Sequence, residues 1–87
     1  MFAMTVEDVF VVKGRGVVAT GRIQNGSLQV GDEVTVNGGV TLRVEAIEAF
    51  RRKITVATAG DNVGVVFGGV DKTQVNRGDV LTAPTVV

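Results

Sequence analysis

The stretch that decides the fold is DVFVVKGRGVVATGRIQNGSLQVGDEV, residues 8–34. Residues 7–13 and 17–24 are rich in β-branched and aromatic side chains, which predicts two strands. The Gly-Arg-Gly between them, residues 14–16, tolerates the positive φ angles of a tight reversal or a bulge. Asn25-Gly26 is the favoured pair for a two-residue hairpin turn. The stretch therefore predicts successive strands joined by short turns.

The rest of the chain continues this pattern. A Gly-Asp pair precedes a Val-bearing strand three times, and the Asp carboxylate of such a turn can accept a hydrogen bond from the backbone two residues further on. Apolar alternation over 40–50 slips by one residue, which predicts a bulge or a bend onto another strand. At most one turn of helix fits, at 71–75. The Gly-Asp pairs are at 31–32, 60–61 and 78–79, and the further predicted strands are at 33–36, 54–57, 63–67 and 80–81. Many short strands without helices predict an all-β antiparallel barrel or sandwich.

Length and composition set the limits. The 87 residues form one domain, 1–87, and the nine basic and nine acidic side chains cancel, so no global field attracts nucleic acid or membrane. The absence of Cys and His removes disulfides, Cys-based zinc sites and the commonest general base. We expect no catalytic residues, no metal site and no cofactor. The first residues are too polar for a signal peptide, so a cytoplasmic protein is expected.

The alternation of apolar residues also predicts the core. It should be drawn from Val9, Val18, Ile23, Val34, Val36, Leu42, Val44, Val63, Val65, Phe67 and Leu81.

Two sequence motifs are relevant to nucleotide binding. Residues 14–19 fit G-x-G-x-x-A, but that fingerprint works only where a helix begins, and the Val residues here favour a strand. No G-x-x-x-x-G-K-[ST] loop occurs. We therefore expect no GTP binding by this chain alone.

Residues 8–34, together with the blocks IEAFRR at 47–52, AGDNVG at 59–64 and NRGDVL at 76–81, resemble domain 2 of the translation GTPases, above all elongation factor Tu. The blocks stand in the family's order and cover nearly the whole chain. The resemblance implies a closed six-stranded antiparallel Greek-key β-barrel.

The resemblance also implies site residues for RNA. In elongation factor Tu the second domain helps to hold the aminoacylated 3′ end of tRNA. Position by position, the glutamate that meets the terminal ribose and adenine is Glu48, followed by Phe50 and Arg51. The asparagine near the aminoacyl group is Asn62, and the apolar wall would include Val66.

Arg52 belongs to the only basic run, residues 51–53. This run has two interpretations, a solvated loop or a local patch that contacts phosphate. The resemblance favours the second interpretation.

Two functions remain open. The first is a non-catalytic module that binds RNA, such as a tRNA acceptor end, or binds the ribosome, without GTPase activity of its own. The alternative is a protein-interaction barrel that has lost the RNA role, or an excised domain of a larger translation GTPase. Zero net charge favours protein docking, whereas the joint presence of Glu48, Arg51 and Asn62 favours RNA. No membrane partner is expected.

Overall fold

The computed structural model describes residues 1–84, which form ten short strands and one turn of 3-10 helix. The strands are β1 (Ala3–Val12), β2 (Gly16–Asn25), β3 (Ser27–Gln29), β4 (Glu33–Val36), β5 (Thr41–Arg43), β6 (Ala46–Ala49), β7 (Arg52–Ile54), β8 (Val56–Thr58), β9 (Asn62–Phe67) and β10 (Val80–Thr82). The 3-10 turn, Lys72–Gln74, lies where one helical turn was expected.

All strand pairs are antiparallel. Eight strands form one sheet in the order β5-β4-β10-β1-β2-β9-β6-β7, and β3 pairs with β8 in a second sheet. The prediction of an all-β antiparallel fold is confirmed.

The finer expectation, a closed barrel of six strands, is not confirmed. The strands number ten, because long apolar runs are interrupted: the run over 40–50 breaks between β5 and β6, and the expected strand 54–57 divides at Thr55 between β7 and β8. Within residues 1–84 the outermost strands, β5 and β7, do not pair with each other, so closure is not found. Single backbone hydrogen bonds, such as Glu45 N–H to Val66 O and Val30 N–H to Thr55 O, connect the chain at such breaks without extending a ladder.

The core is apolar and contains no buried polar or charged side chain among the described residues. Ten of the eleven predicted core positions are buried; Val9 is half-buried and packs against the core. The buried positions that were not predicted are Phe2, Met4, Val6, Val17, Ala19, Leu28, Ile47, Ala57, Val66 and Val75. Met4 and Val6 lie in the first half of β1, which begins at Ala3 and not at residue 7 as the sequence pattern predicted.

The Gly-Asp turns share one geometry, which differs from the expected one. Asp32, Asp61 and Asp79 each accept a hydrogen bond from the backbone N–H three residues earlier, at 2.9, 2.9 and 2.7 Å. Each Asp N–H in turn donates to the carbonyl of that same earlier residue. The carboxylate therefore closes a four-residue turn that ends at the Asp, and the Gly, with its positive φ, occupies the third position of that turn.

The two-residue hairpin turn is not where the sequence predicted it. The Asn25-Gly26 pair does not join two paired strands, since β3 pairs with β8 and not with β2. It is a corner, and a Cβ at Gly26 would collide with the backbone of Met1 and Phe2. The two-residue hairpin lies instead between β6 and β7, at residues 50–51.

Candidate functional site

The candidate site is a cleft on the outer face of β2, β9 and β6. Strand register places Gly64 of β9 between Thr20 of β2 and Glu48 of β6. Because Gly64 has no side chain, the surface is low at this point. The resulting cavity, of about 260 Å³, is lined by Glu48, Phe50 and Asn62 among others, with Glu7 and Thr20 at its margin.

The β6–β7 hairpin forms one wall of this cleft. Its two turn residues, Phe50 and Arg51, have φ angles of 53° and 64°. Turns of this kind need positive φ at both central positions and normally use Asn and Gly. A bulky side chain in this region is uncommon, and such strain is concentrated at functional sites. The aromatic ring gains no burial in exchange, since Phe50 is 93% exposed.

A second cavity lies on the other side of the hairpin. It has a volume of about 590 Å³ and includes Arg52, Ile54 and Val56 in its lining. Both cavities are lined by Phe50 and Asn62, so these two residues lie at the boundary between them. The volume of the second cavity lies in the range of small-molecule sites.

Glu48 is held by an ion pair that was not predicted. The Nη2 atom of Arg15 lies 2.6 Å from Oε2 of Glu48. Among the side chains that the structure describes, this is the one salt bridge. It joins the β1–β2 turn to β6 across the two intervening strands, β2 and β9.

The structure brings some of the expected site residues together and separates others. Glu48, Phe50 and Asn62 line the first cleft, and Arg52 lines the second. Arg51 is exposed at the hairpin tip. Val66 on β9 is 3% exposed. It pairs with Ala46, two residues before Glu48 on β6, and lines neither cavity.

Sequence reasoning missed Arg15, Glu7 and Gly64. Arg15 was interpreted only as the centre of a Gly-flanked turn. It is 33 residues away from Glu48 in the chain, and no sequence pattern connects the two residues. Gly64 stood in a predicted strand, and a Gly inside a strand is a known signal of close approach or of missing surface. Gly64 was therefore the signal in the sequence that could have indicated the floor of the cleft.

Two further observations concern residues 1–84. No three Asp, Glu, His or Cys side chains are grouped so as to hold a metal ion. None of the helical structure there has the length and apolar character needed to cross a membrane.

The chain is thus a small antiparallel all-β domain with a shallow cleft beside a strained hairpin. The family model described as elongation factor Tu domain 2 matches residues 16–82. The chain therefore belongs to the elongation factor Tu domain 2 family of translation factors.

A solved structure supports the same assignment. The chain is similar to the apo form of translation elongation factor SelB from Methanococcus maripaludis, with a TM-score of 0.87 and 40% sequence identity. The match covers 94% of this chain and 18% of that protein. The chain thus spans less than a fifth of the SelB chain.

Proposed function

We propose that this domain is a non-catalytic RNA-binding module of the translation apparatus, which holds the terminal nucleotide of an acceptor end in the cleft beside the β6–β7 hairpin. The observation that carries the proposal is the meeting of Glu48, Phe50 and Asn62 in one cavity. These residues come from two separate sequence blocks, and both blocks were matched to RNA contacts by resemblance. A role in translation would place the domain in the cytoplasm.

The polar groups suit the sugar of a terminal nucleotide. A carboxylate accepts hydrogen bonds and donates none, so Glu48 can accept from a ribose hydroxyl. The Asn62 amide both donates and accepts, which suits a mixed partner such as a sugar or an ester. The ribose 2′-OH is the group by which a protein distinguishes RNA from DNA, and we propose that Glu48 makes that distinction.

The hairpin tip suits the base and the phosphates. An exposed aromatic ring is a platform on which a base can stack, and Phe50 is such a ring. The planar guanidinium groups of Arg51 and Arg52 can each bind phosphate oxygens in a bidentate geometry. The strained turn that presents these side chains favours a functional role over a passive surface loop.

The affinity should be modest. The chain has no net charge, and the local patch can neutralise only two or three phosphates. We further propose that the domain has no GTPase activity and binds no GTP alone, since its sequence contains no G-x-x-x-x-G-K-[ST] loop whose backbone N–H groups could hold the phosphates.

A protein partner is the second candidate, favoured by a different surface. Phe10 and Val11 of β1 are 53% and 62% exposed. Because side chains alternate along a strand, the two residues offer apolar surface on both faces of β1, which a protein partner could cover.

Binding of a labelled CCA-ended RNA oligonucleotide, followed by fluorescence anisotropy at several salt concentrations, tests the proposal. The affinity should fall with salt by a log–log slope of roughly −0.7 per contacted phosphate. The double variant Arg51→Ala/Arg52→Ala should flatten this slope. Glu48→Ala should weaken binding at every salt concentration and leave the slope unchanged, because the carboxylate contacts a hydroxyl and not a phosphate.

Glu33→Ala provides the matched control. It removes the same charge from β4, near the other end of the strand order, and should bind as the wild type does. Absence of saturable binding even at low salt would refute the RNA proposal and favour protein docking.

A further inference from the structure

The Arg15–Glu48 ion pair is unusual in its placement. Arg15 lies in the turn between β1 and β2, between two glycines with φ angles of 82° and 113°. Its guanidinium reaches Glu48 on β6, three strands away from β1 in the sheet order. An arginine in a Gly-flanked turn would ordinarily extend into solvent, yet this one crosses the sheet.

An apolar row lies beneath the crossing. Val18 of β2 and Val66 of β9 are paired in register, and both are buried although neither belongs to the main core cluster. Their strand neighbours Ala19 and Val65 do belong to that cluster, so Val18 and Val66 face outwards, because side chains alternate along a strand.

The two charged residues stand on either side of this row. Glu48 pairs with Gly64, which is two residues before Val66 on β9. Arg15 lies on the other side of the Val18–Val66 pair, just before the start of β2. The ion pair therefore extends over the row. An arginine stem that lies along apolar surface keeps its charged head in water and loses freedom of movement.

Stability is a poor explanation for this contact. The two side chains are 37% and 30% exposed, and ion pairs at such positions contribute little to folding. What the contact does is to fix a carboxylate. Oε2 of Glu48 accepts a hydrogen bond from Arg15, whereas no such bond to Oε1 is found among the described residues, so Oε1 has its full accepting capacity for a partner in the cleft.

We propose that Arg15 is a positioning residue, which holds Glu48 so that Oε1 accepts a hydrogen bond from the 2′-OH of a terminal ribose. This inference rests on the proposed function and adds the residue that sets its selectivity for RNA. With Arg15 absent, the Glu48 carboxylate rotates freely and its charge is uncompensated near the phosphates. Selectivity for the hydroxyl is then lost before general affinity is.

The test compares two labelled oligonucleotides that differ only in the terminal 2′-OH, a CCA end and its 2′-deoxyadenosine counterpart. The wild type should prefer the ribose end about tenfold, which corresponds to about 1.4 kcal/mol. Arg15→Ala should reduce this preference to near unity, and Arg15→Lys should restore part of it. Arg43→Ala removes the same charge from β5, at the far end of the strand order, and should keep the full preference.

The variants should fold, because the backbone bond of this turn, from Arg15 N–H to Val12 O at 2.9 Å, does not involve the side chain. Equal melting temperatures by circular dichroism establish this. If the wild type binds and prefers the ribose end but Arg15→Ala keeps that preference, the positioning role is refuted and the proposed function stands. If the wild type binds neither oligonucleotide, both are refuted.

Discussion

Replacement of the hairpin turn Phe50-Arg51 by Asn-Gly should stabilise the domain and weaken the proposed RNA binding. Both residues adopt left-handed backbone angles, which cost L-residues about 1–2 kcal/mol each. Asn tolerates this conformation and Gly adopts it freely, although a Gly loses about 0.5–1 kcal/mol of entropy on folding. Little burial is lost, since Phe50 is almost fully exposed. The free energy of unfolding should therefore rise by about 1–2 kcal/mol.

The assay is urea unfolding followed by far-ultraviolet circular dichroism, because the chain contains no Trp or Tyr and has little intrinsic fluorescence. For a domain of this size a gain of 1 kcal/mol raises the melting temperature by about 4–8 °C. Arg52→Gly is the matched control, because Arg52 is the first residue of β7 and has no positive φ. It should lower stability by about 0.5–1 kcal/mol. A double variant that is no more stable than the wild type would show that the turn stores no strain.

Three further predictions concern the core, the turn that follows β4, and nucleotide binding. Val65→Asp places a charge without a partner in a fully buried position and should prevent folding, which a loss of the β-sheet circular dichroism signal would reveal; a cooperative melting curve would contradict this. Asn37→Ala removes two hydrogen bonds, to Asp79 at 3.0 Å and from Val80 at 2.9 Å, and leaves Ala at a φ of 53°. It should cost about 1–3 kcal/mol in urea unfolding, and an unchanged midpoint would count against it. Calorimetric titration with GTP should show no micromolar binding, and a saturable micromolar affinity would overturn that expectation.

Much of the fold followed from local patterns. The Val-rich strands, the Gly-Asp turns and the buried face of β9 are each encoded in a few adjacent residues, so period and turn chemistry were sufficient to find them. The division of the sheet was not predictable in this way. The breaks at Val44 and Thr55 depend on which strands lie alongside, and that information is absent from a segment of apolar residues.

The turns illustrate the same limit. Asn25-Gly26 has the composition of a hairpin, but the close approach of the N-terminal strand makes it a corner. The hairpin at Phe50-Arg51 contradicts turn propensity altogether. A place where local preference fails in this way is expected at functional or strained sites, and here it coincides with the candidate site.

The candidate site was reached through resemblance more than through pattern. Glu48 and Asn62 lie on different strands, and only the register of β6 with β9 brings them to one cleft. Arg15 could not have been connected with Glu48 without coordinates, since the contact depends on the path of one side chain across two strands.

The proposal that the cleft between the β6–β7 hairpin and β9 receives an RNA 3′ end can be tested by titrating the ¹⁵N-labelled domain with a CCA-ended oligonucleotide and following it by NMR. We expect saturable shifts of the backbone amides of Glu48, Phe50, Asn62 and Gly64, while those of β4 and β5 remain unchanged. Shifts that are confined to Phe10 and Val11 of β1, or no saturable shifts at low salt, would contradict it.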